Sequence, residues 1–354
     1  MVELADDVVR DVPAAQLTTL AVGGPLRWLW PVRHAQDARN ALAFARQNAA
    51  PVWILGGGSN VVVADEGLAG VVLQPQLVAG RGIEVLEVTP QAARLRIAAG
   101  AQWDDVVAFA VEHDWQGVEC LAGIPGQAGA APIQNIGAYG QEVADVVAAV
   151  SVLDLNSEKL STLSPTECQF SYRDSLFKRN PLRWLVLGLD IQLRPCAQPC
   201  TAYSQVEQAL AAVGSPSLRD VRQTVLNLRR AKSMVIDPAD ANSRSCGSFF
   251  VNPVVDSAQA TEVIAVLAQF GETAPQWPRA DGAIKLSAAW LIERCGLAKG
   301  YGTGRVGLSM NHTLAIVNRG EATATEVIAF ADHVSAVVYR GSGVQLGREP
   351  VHLT

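Results

Sequence analysis

The chain has 354 residues, 49% hydrophobic and 18% charged, with a net charge of −6 and a pI near 5.4. That length and balance predict two or three folded domains and exclude a disordered chain; the acidic balance, with no Lys/Arg-rich block, excludes a nucleic-acid footprint. The opening "MVELADDVVRDVPAAQLTT" has neither the basic nor the apolar region of a signal peptide, and no run reaches 18 uninterrupted apolar residues, so a cytoplasmic chain without membrane insertion is expected.

In chain order, "AQDARNALAFARQN" (35–48) predicts a helix, followed by a strand at 52–55. The loop "GGGSN" (56–60) then leads into two strand-like runs, "VVVAD" and "GVVLQ", closing a small α+β unit near residue 78. Beyond 83, "IEVLEV" and "RLRIAAG" read as alternating strands. Trp103, Val106, Val107, Ala110 and Val111 mark the apolar face of a helix over 103–114. The stretch "GIPGQAGAAPIQNIGAYGQ" (123–141) is poor in charge and rich in Gly, Ala and Pro. Strands follow at 147–155 and 183–193, with helices at 204–212 and 218–231. A polar loop after Lys232 leads to "CGSFFVNPVV", then to helices at 257–270 and 287–295 and a strand at 313–318. Thr323 and Glu326 form a capping box for a helix running to about 339, and a short strand "GVQLG" precedes the tail "REPVHLT". Domain boundaries are placed near 80 and 230.

Cysteines stand at 120, 168, 196, 200, 246 and 295, with no CxxC pair, and only five histidines accompany them. This spacing predicts scattered reduced thiols and no metal site.

Three glycine-rich stretches compete as phosphate cradles. Gly302, Gly304 and Gly307 form a GxGxxG, but it follows a helix end and leads into a strand, so it reads as a turn. GGGSN has no GKS or GKT ending and also leads into a strand. A wide turn and a nest of backbone N–H groups for anionic oxygens are equally open readings of it. "PIQNIGAYG" (132–140) offers Gln134 and Asn135 amides among residues small enough to let backbone approach a planar ligand. Two such segments together favour a cleft for a large phosphorylated cofactor.

"ILGGGSNVVV", "GIPGQAGAAPIQNIGAYG", "SYRDSLFK" and "GSFFVNPVV" occur in this order. Together they closely resemble the UDP-N-acetylenolpyruvoylglucosamine reductase family, of the type with a Tyr-bearing substrate loop. The resemblance runs from about residue 18 to Glu349; each motif alone is weak, but four in order are specific. It implies an α+β fold: the two-domain FAD-binding architecture of the vanillyl-alcohol-oxidase/PCMH type plus a third, substrate-binding α+β domain. The implied domains are 1–80, 81–230 and 231–340, with the tail 341–354 returning to the first. It also implies non-covalent FAD, NADPH as hydride donor, UDP-N-acetylglucosamine enolpyruvate as substrate, and a monomer.

By the same resemblance, Gly56, Gly57, Gly58, Ser59 and Asn60 wrap the FAD pyrophosphate. Gly123, Ile124, Pro125 and Gly126, then Gln134, Asn135, Ile136, Gly137 and Ala138, line the rest of the flavin site, with Arg229 of "NLRRAK" as a further contact. Hydride passes from NADPH through FAD to the terminal alkene carbon, and negative charge spreads into the neighbouring carboxylate. That chemistry demands cationic donors on the carboxylate and a proton for the carbon. Arg173 matches the carboxylate-binding arginine, Ser248 the proton donor and Glu349 the catalytic glutamate. Each has a plainer reading: a surface ion pair of Arg173 with Asp174, a capping serine, and an exposed terminal carboxylate. Cys246 is rejected as a nucleophile, because the reaction needs no covalent intermediate. Tyr172, Tyr203, Lys232, Asn252 and Glu293 match positions near the UDP-sugar or NADPH. Where the family tail reads Glu-Val-Arg, this chain has Glu349-Pro350-Val351-His352, which places a histidine where an arginine contacts flavin. The rival readings are a non-covalent flavin oxidase of the same fold and an inactive nucleotide-sugar binding protein; all three catalytic matches are present, against the second.

Overall fold

The computed structural model describes residues 7–77, 80–196, 198–267 and 274–354. It divides into two compact units: one of residues 1–12, 26–58 and 68–235, the other of 13–25, 59–67 and 236–354.

The first unit holds two main sheets and a short antiparallel pair, Gly137–Ala138 with Gln141–Glu142. The smaller main sheet has the order Val9–Pro13, Pro25–Val32, Leu68–Pro75, Val52–Ile54, with the last three strands parallel. Helix Ala35–Gln47 covers one face; the His34/Asp37 capping box opens it. Phe44 on that helix meets Trp28 edge-on, ring centroids 5.2 Å apart, and Val71 and Leu73 of the central strand complete the layer. The strand Pro25–Val32 is not announced by the sequence pattern, because proline both opens it and stands next to its end.

The larger sheet is antiparallel in the order Leu160–Leu163, Val147–Asp154, Trp184–Pro195, Ala93–Ala98, Ile83–Val88. Helices Trp103–Glu112 and Leu218–Arg230 bury Trp103, Val106, Val107, Val221 and Val225 in the same core as Leu95, Ile97, Leu189 and Ile191 of the strands. The helix predicted over 204–212 is the shorter Ser204–Ala209.

In the second unit, strands Val254–Val255, Ile284–Leu286 and Gln276–Pro278 make one small sheet and Val306–Leu308 with Ile316–Asn318 another. Around them pack helices Ser257–Leu267, Ala288–Arg294 and Ala324–Ser342, with Phe249, Leu286, Leu291, Leu308, Ile316, Val327 and Val334 buried together. The last three residues of the helix predicted at 257–270 lie outside the described residues. The predicted strand "GVQLG" is absent: Gly343, at φ 70°, ends the long helix, and Val344 and Leu346 are buried without ladder partners. Their alternation with exposed neighbours reflects packing against the helix, where Gln345 Nε2 reaches Ser335 Oγ at 2.8 Å. The strand of the tail is instead Val351–Leu353, parallel to Val61–Val63.

The GxGxxG at 302–307 leads into strand Val306–Leu308, as a turn should. Gly307 makes room for Arg319, whose guanidinium donates to the carbonyls of Gly300 at 2.8 Å and Leu308 at 3.2 Å; a side chain on Gly307 would overlap it.

Candidate active site

In the first unit, Gly56–Gly58 follow the buried Leu55 at the end of strand Val52–Ile54. The left-handed glycine is Gly58, at φ 64°. Gly57 has a different reason to be glycine. A Cβ there would stand 2.9 Å from Gly126 Cα and 3.2 Å from Gln127 N, so two glycine-rich backbones touch. The partner loop is firmly held. Gly123 N–H donates to Asp104 Oδ1 at 2.7 Å, Gly126 O accepts from Trp103 N–H at 2.9 Å, and Arg222 braces Asp104 at 2.8 Å. Gly123 and Gly126 take φ of 69° and 111°.

Among the buried polar atoms without a partner in the described residues are Gln127 Oε1, which faces Gly56, and Arg229 Nε, which faces Gly123. Pro75 O accepts from Gln127 Nε2 at 3.0 Å, which fixes the amide so that its oxygen is presented. Arg229 Nη2 is anchored to Met234 O at 2.9 Å, and burial lowers its pKa.

The segment 134–138 is joined to "SYRDS". Arg173, at φ 55°, donates from Nη2 to Gly137 O at 2.6 Å and from Nη1 to Asn135 O at 3.4 Å, and lies 5.4 Å from the Tyr172 ring centroid. Asp174 forms its ion pair with Arg179. Gly137 has no room for a side chain, because its Cβ would stand 2.8 Å from Glu142 Cγ and 2.9 Å from the Gln141 carbonyl oxygen, with Arg173 Nη1 next at 3.1 Å. Asn135 spends its amide within the protein: Nδ2 donates to Glu142 Oε2 at 2.7 Å and Ser171 O at 3.1 Å, and Oδ1 accepts from Ala144 N–H at 3.0 Å. Its backbone, and those of the half-buried Gln134 and Ala138 and the buried Ile136, shape the loop. Tyr203, Tyr139 and Lys232 cluster as well. The two rings meet edge-on at 5.3 Å, and Lys232 Nζ lies 5.7 Å from the Tyr139 centroid and donates to Gln205 Oε1 at 2.9 Å. Burial raises the pKa of both tyrosines.

In the second unit, Asn60 Nδ2 donates to Glu349 O at 3.3 Å, and Val351 N–H to Asn60 O at 3.0 Å; Ser59 precedes it. The tail also pairs with the "CGSFF" segment. Glu349 N–H donates to Phe249 O at 2.9 Å, Val251 N–H to Gly347 O at 3.0 Å, and Phe250 bridges Arg348. Ser248 and Glu349 therefore sit on adjacent backbones. Ser248 is half-buried, follows the left-handed Gly247 at φ 70°, and caps no helix.

Arg348 is tied to Asp332 of the long helix, which fixes the tail from the other side. His352 is exposed, its backbone opposite Val62. Asn252 Oδ1 accepts from Ala288 N–H at 3.0 Å, and the exposed Glu293 accepts from Thr313 Oγ1 at 3.1 Å. Cys246 donates to Val61 O at 3.3 Å, and burial pushes its thiol up to about 12, which makes it inert as a nucleophile. Among the described residues there is no grouping of three metal-ligating side chains, and no helix is long and apolar enough to cross a membrane.

Residues 237–353 match the family profile of the UDP-N-acetylenolpyruvoylglucosamine reductase C-terminal domain, and residues 29–164 match an FAD binding domain. The UDP-N-acetylenolpyruvoylglucosamine reductase of Thermobifida fusca is 43% identical over 348 residues, 97% of each chain. That of Streptomyces avermitilis is 41% identical over 350 residues, 97% of this chain and 94% of the relative. The crystal structure of UDP-N-acetylenolpyruvylglucosamine reductase from Thermus caldophilus matches with a TM-score of 0.65 at 25% identity, over 98% of this chain and 99% of that one.

The chain belongs to the UDP-N-acetylenolpyruvoylglucosamine reductase family. Its α+β fold is the family's FAD-binding architecture with a C-terminal domain added. The residues in place fit FAD. Two backbones meet at Gly57 and Gly126, and an acceptor on Gln127 and a donor on Arg229, both unmet among the described residues, stand beside them. A cofactor rich in hydroxyls and anionic oxygens supplies the complements of both. Sequence reasoning passed over Asp104, Gln127 and Tyr139. Asp104 and Gln127 are polar residues beside glycine loops, a signal that motif matching alone does not weigh.

Proposed function

We propose that this reductase converts UDP-N-acetylglucosamine enolpyruvate to UDP-N-acetylmuramate for peptidoglycan synthesis, oxidising NADPH. The adjacency of Ser248 to Glu349 carries the reading, because the reaction must end in protonation of a carbon. Bound FAD would relay hydride from NADPH to the terminal alkene carbon. Gly56–Asn60, Gly123–Gly126 and Gln134–Ala138 would hold it, with Arg229 as a further contact.

The residues of this chain then have distinct tasks. Arg173 offers a planar fork to the substrate carboxylate, where negative charge accumulates. The Gly137 and Asn135 carbonyls hold that fork in place before substrate arrives, which supports preorganised charge stabilisation. Ser248 delivers the proton to the carbon beside the carboxylate, and its hydroxyl has no helix to cap. Glu349, held by backbone bonds to Phe249 and Asn60, polarises the carboxyl group. Lys232 offers counter-charge to the UDP pyrophosphate; Tyr172, Tyr203, Asn252 and Glu293 make the remaining NADPH and UDP-sugar contacts. The reading also takes the chain as of the type with a Tyr-bearing substrate loop. The reading takes the domains as 1–80 with the tail 341–354, 81–230 and 231–340, and the protein as a cytoplasmic monomer.

The test is NADPH oxidation followed at 340 nm with and without the enolpyruvyl substrate. Turnover that requires the substrate and yields one UDP-N-acetylmuramate per NADPH is expected. Oxidation that needs only dioxygen would make the protein an oxidase and overturn the reading.

A further inference from the structure

Glu119 is completely buried, a rare place for a glutamate. Its Oε1 accepts from Cys200 N–H at 2.8 Å, and its Oε2 from Gly117 N–H at 2.8 Å. The next residue, Cys120, donates its thiol to the carbonyl of the same Cys200 at 3.4 Å. Burial pushes the Cys120 thiol far above its ordinary range, so it keeps its proton and stays a donor. Both polar backbone groups of Cys200 are thus gripped by consecutive side chains of one short turn, Glu119–Leu121. The turn is itself pinned, because Cys120 N–H donates to the buried Gln141 Oε1 at 2.8 Å.

The two segments leaving this junction matter. Two residues past the turn begins the glycine loop Gly123–Gly126. Three residues past Cys200 stands Tyr203, whose carbonyl accepts the first N–H bonds of helix Ser204–Ala209 and whose ring packs against Tyr139. Cys196 is held separately, by its N–H on Asp114 O at 3.0 Å. Cys200 is therefore the fixed point from which the chain reaches Tyr203.

We propose that Glu119 and Cys120 are positioning residues for substrate binding: they clamp the Cys200 peptide and so preset Tyr203 to receive the enolpyruvyl substrate. This rests on the reading that Tyr203 contacts that substrate. A loop fixed beforehand loses less freedom on binding, so a broken clamp appears in KM.

Glu119→Gln keeps the volume but turns one acceptor into an NH2 group facing a backbone N–H, which removes one of the two bonds. The expected result is a KM for UDP-N-acetylglucosamine enolpyruvate raised about tenfold, with kcat and the FAD dissociation constant within roughly twofold of the parent. Cys120→Ala, a milder cut, should raise KM about threefold and remains available if Glu119→Gln fails to fold. Each variant is then combined with Tyr203→Ala. If the clamp acts through Tyr203, adding it to Tyr203→Ala changes KM by less than about twofold. The same fold-change in both backgrounds, or no KM effect of either single variant, overturns the clamp. An unchanged KM in Tyr203→Ala alone overturns the role of Tyr203, and the clamp with it; turnover that does not need the substrate at all would instead be the failure of the reductase reading.

Discussion

Gly57→Ala tests the cradle most directly. The new Cβ would stand 2.9 Å from Gly126 Cα and 3.2 Å from Gln127 N, whereas carbon atoms rest at about 3.5–4.0 Å. One loop must therefore give by roughly 0.6–1 Å. The partner loop resists, being pinned by Asp104 on Gly123 N–H and by Trp103 N–H on Gly126 O. The atoms it meets are backbone, so no side-chain rotation relieves the overlap. Overpacking of this kind typically costs about 1–3 kcal/mol. If the shift falls on the flavin loops, that is about 5- to 150-fold in the FAD dissociation constant. FAD titrated into apoprotein, read by quenching of flavin fluorescence, measures it. Gly214→Ala, outside the proposed flavin loops, is the control. Its Cβ would meet nothing within 4 Å, so its FAD affinity should stay within about threefold. Equal losses in both variants, or none in Gly57→Ala, would refute the argument from close approach.

Arg173→Lys keeps the charge but cannot span the Gly137 and Asn135 carbonyls, so stopped-flow reoxidation by the enolpyruvyl substrate should slow by about 10²-fold while reduction by NADPH changes far less. Equal slowing of both would make Arg173 structural. Ser248→Ala should cost about 10²–10⁴-fold in the substrate half-reaction only, with an unchanged Tm because this serine caps no helix; rapid reoxidation in the variant would remove Ser248 from the mechanism. Asp65 accepts from Ala324 N–H at 2.7 Å and Thr325 N–H at 2.9 Å at the start of the long helix. Burial raises its pKa, but the bonds from Thr325 and Ala324 outweigh that and hold it below the ordinary aspartate value of about 3.9. A depressed pKa stabilises the fold above that ordinary value and is lost as pH falls through the folded one. Asp65→Asn should therefore unfold about 1 kcal/mol more easily near neutrality, with the gap to the parent closing below about pH 4 in urea melts; a gap independent of pH would refute the carboxylate's role.

The elements with long periodic faces were legible because one force decides them. Helix 103–112 shows its buried stripe in the sequence, and "GVVLQ", short and β-branched, reads as a strand and forms part of Leu68–Pro75. "GVQLG" misled for an instructive reason: period-two burial also arises when an extended segment packs on a helix, and only backbone partners distinguish the two. Glycines were legible as a class but not one by one. The run GGGSN announces that backbone is needed, yet it does not say that Gly58 takes the left-handed conformation and Gly57 the close approach.

What stayed hidden in the sequence is pairing across long separations. Ser248 and Glu349 become neighbours through Glu349 N–H on Phe249 O, a bond between main-chain groups that every residue carries, so no residue type records it. Arg173 shows the opposite failure. Its neighbour Asp174 suggests a surface ion pair, but Asp174 binds Arg179, and Arg173 turns at φ 55° to reach the Gly137 and Asn135 carbonyls. A non-glycine residue in that region is strained by about 1–3 kcal/mol, and such strain persists only where surrounding bonds over-determine it. Here two donor bonds from the fork, and one from Lys178 Nζ to the Arg173 carbonyl at 2.8 Å, do so. Those bonds hold the guanidinium in one orientation, which is the preset charge that the proposed role of Arg173 requires.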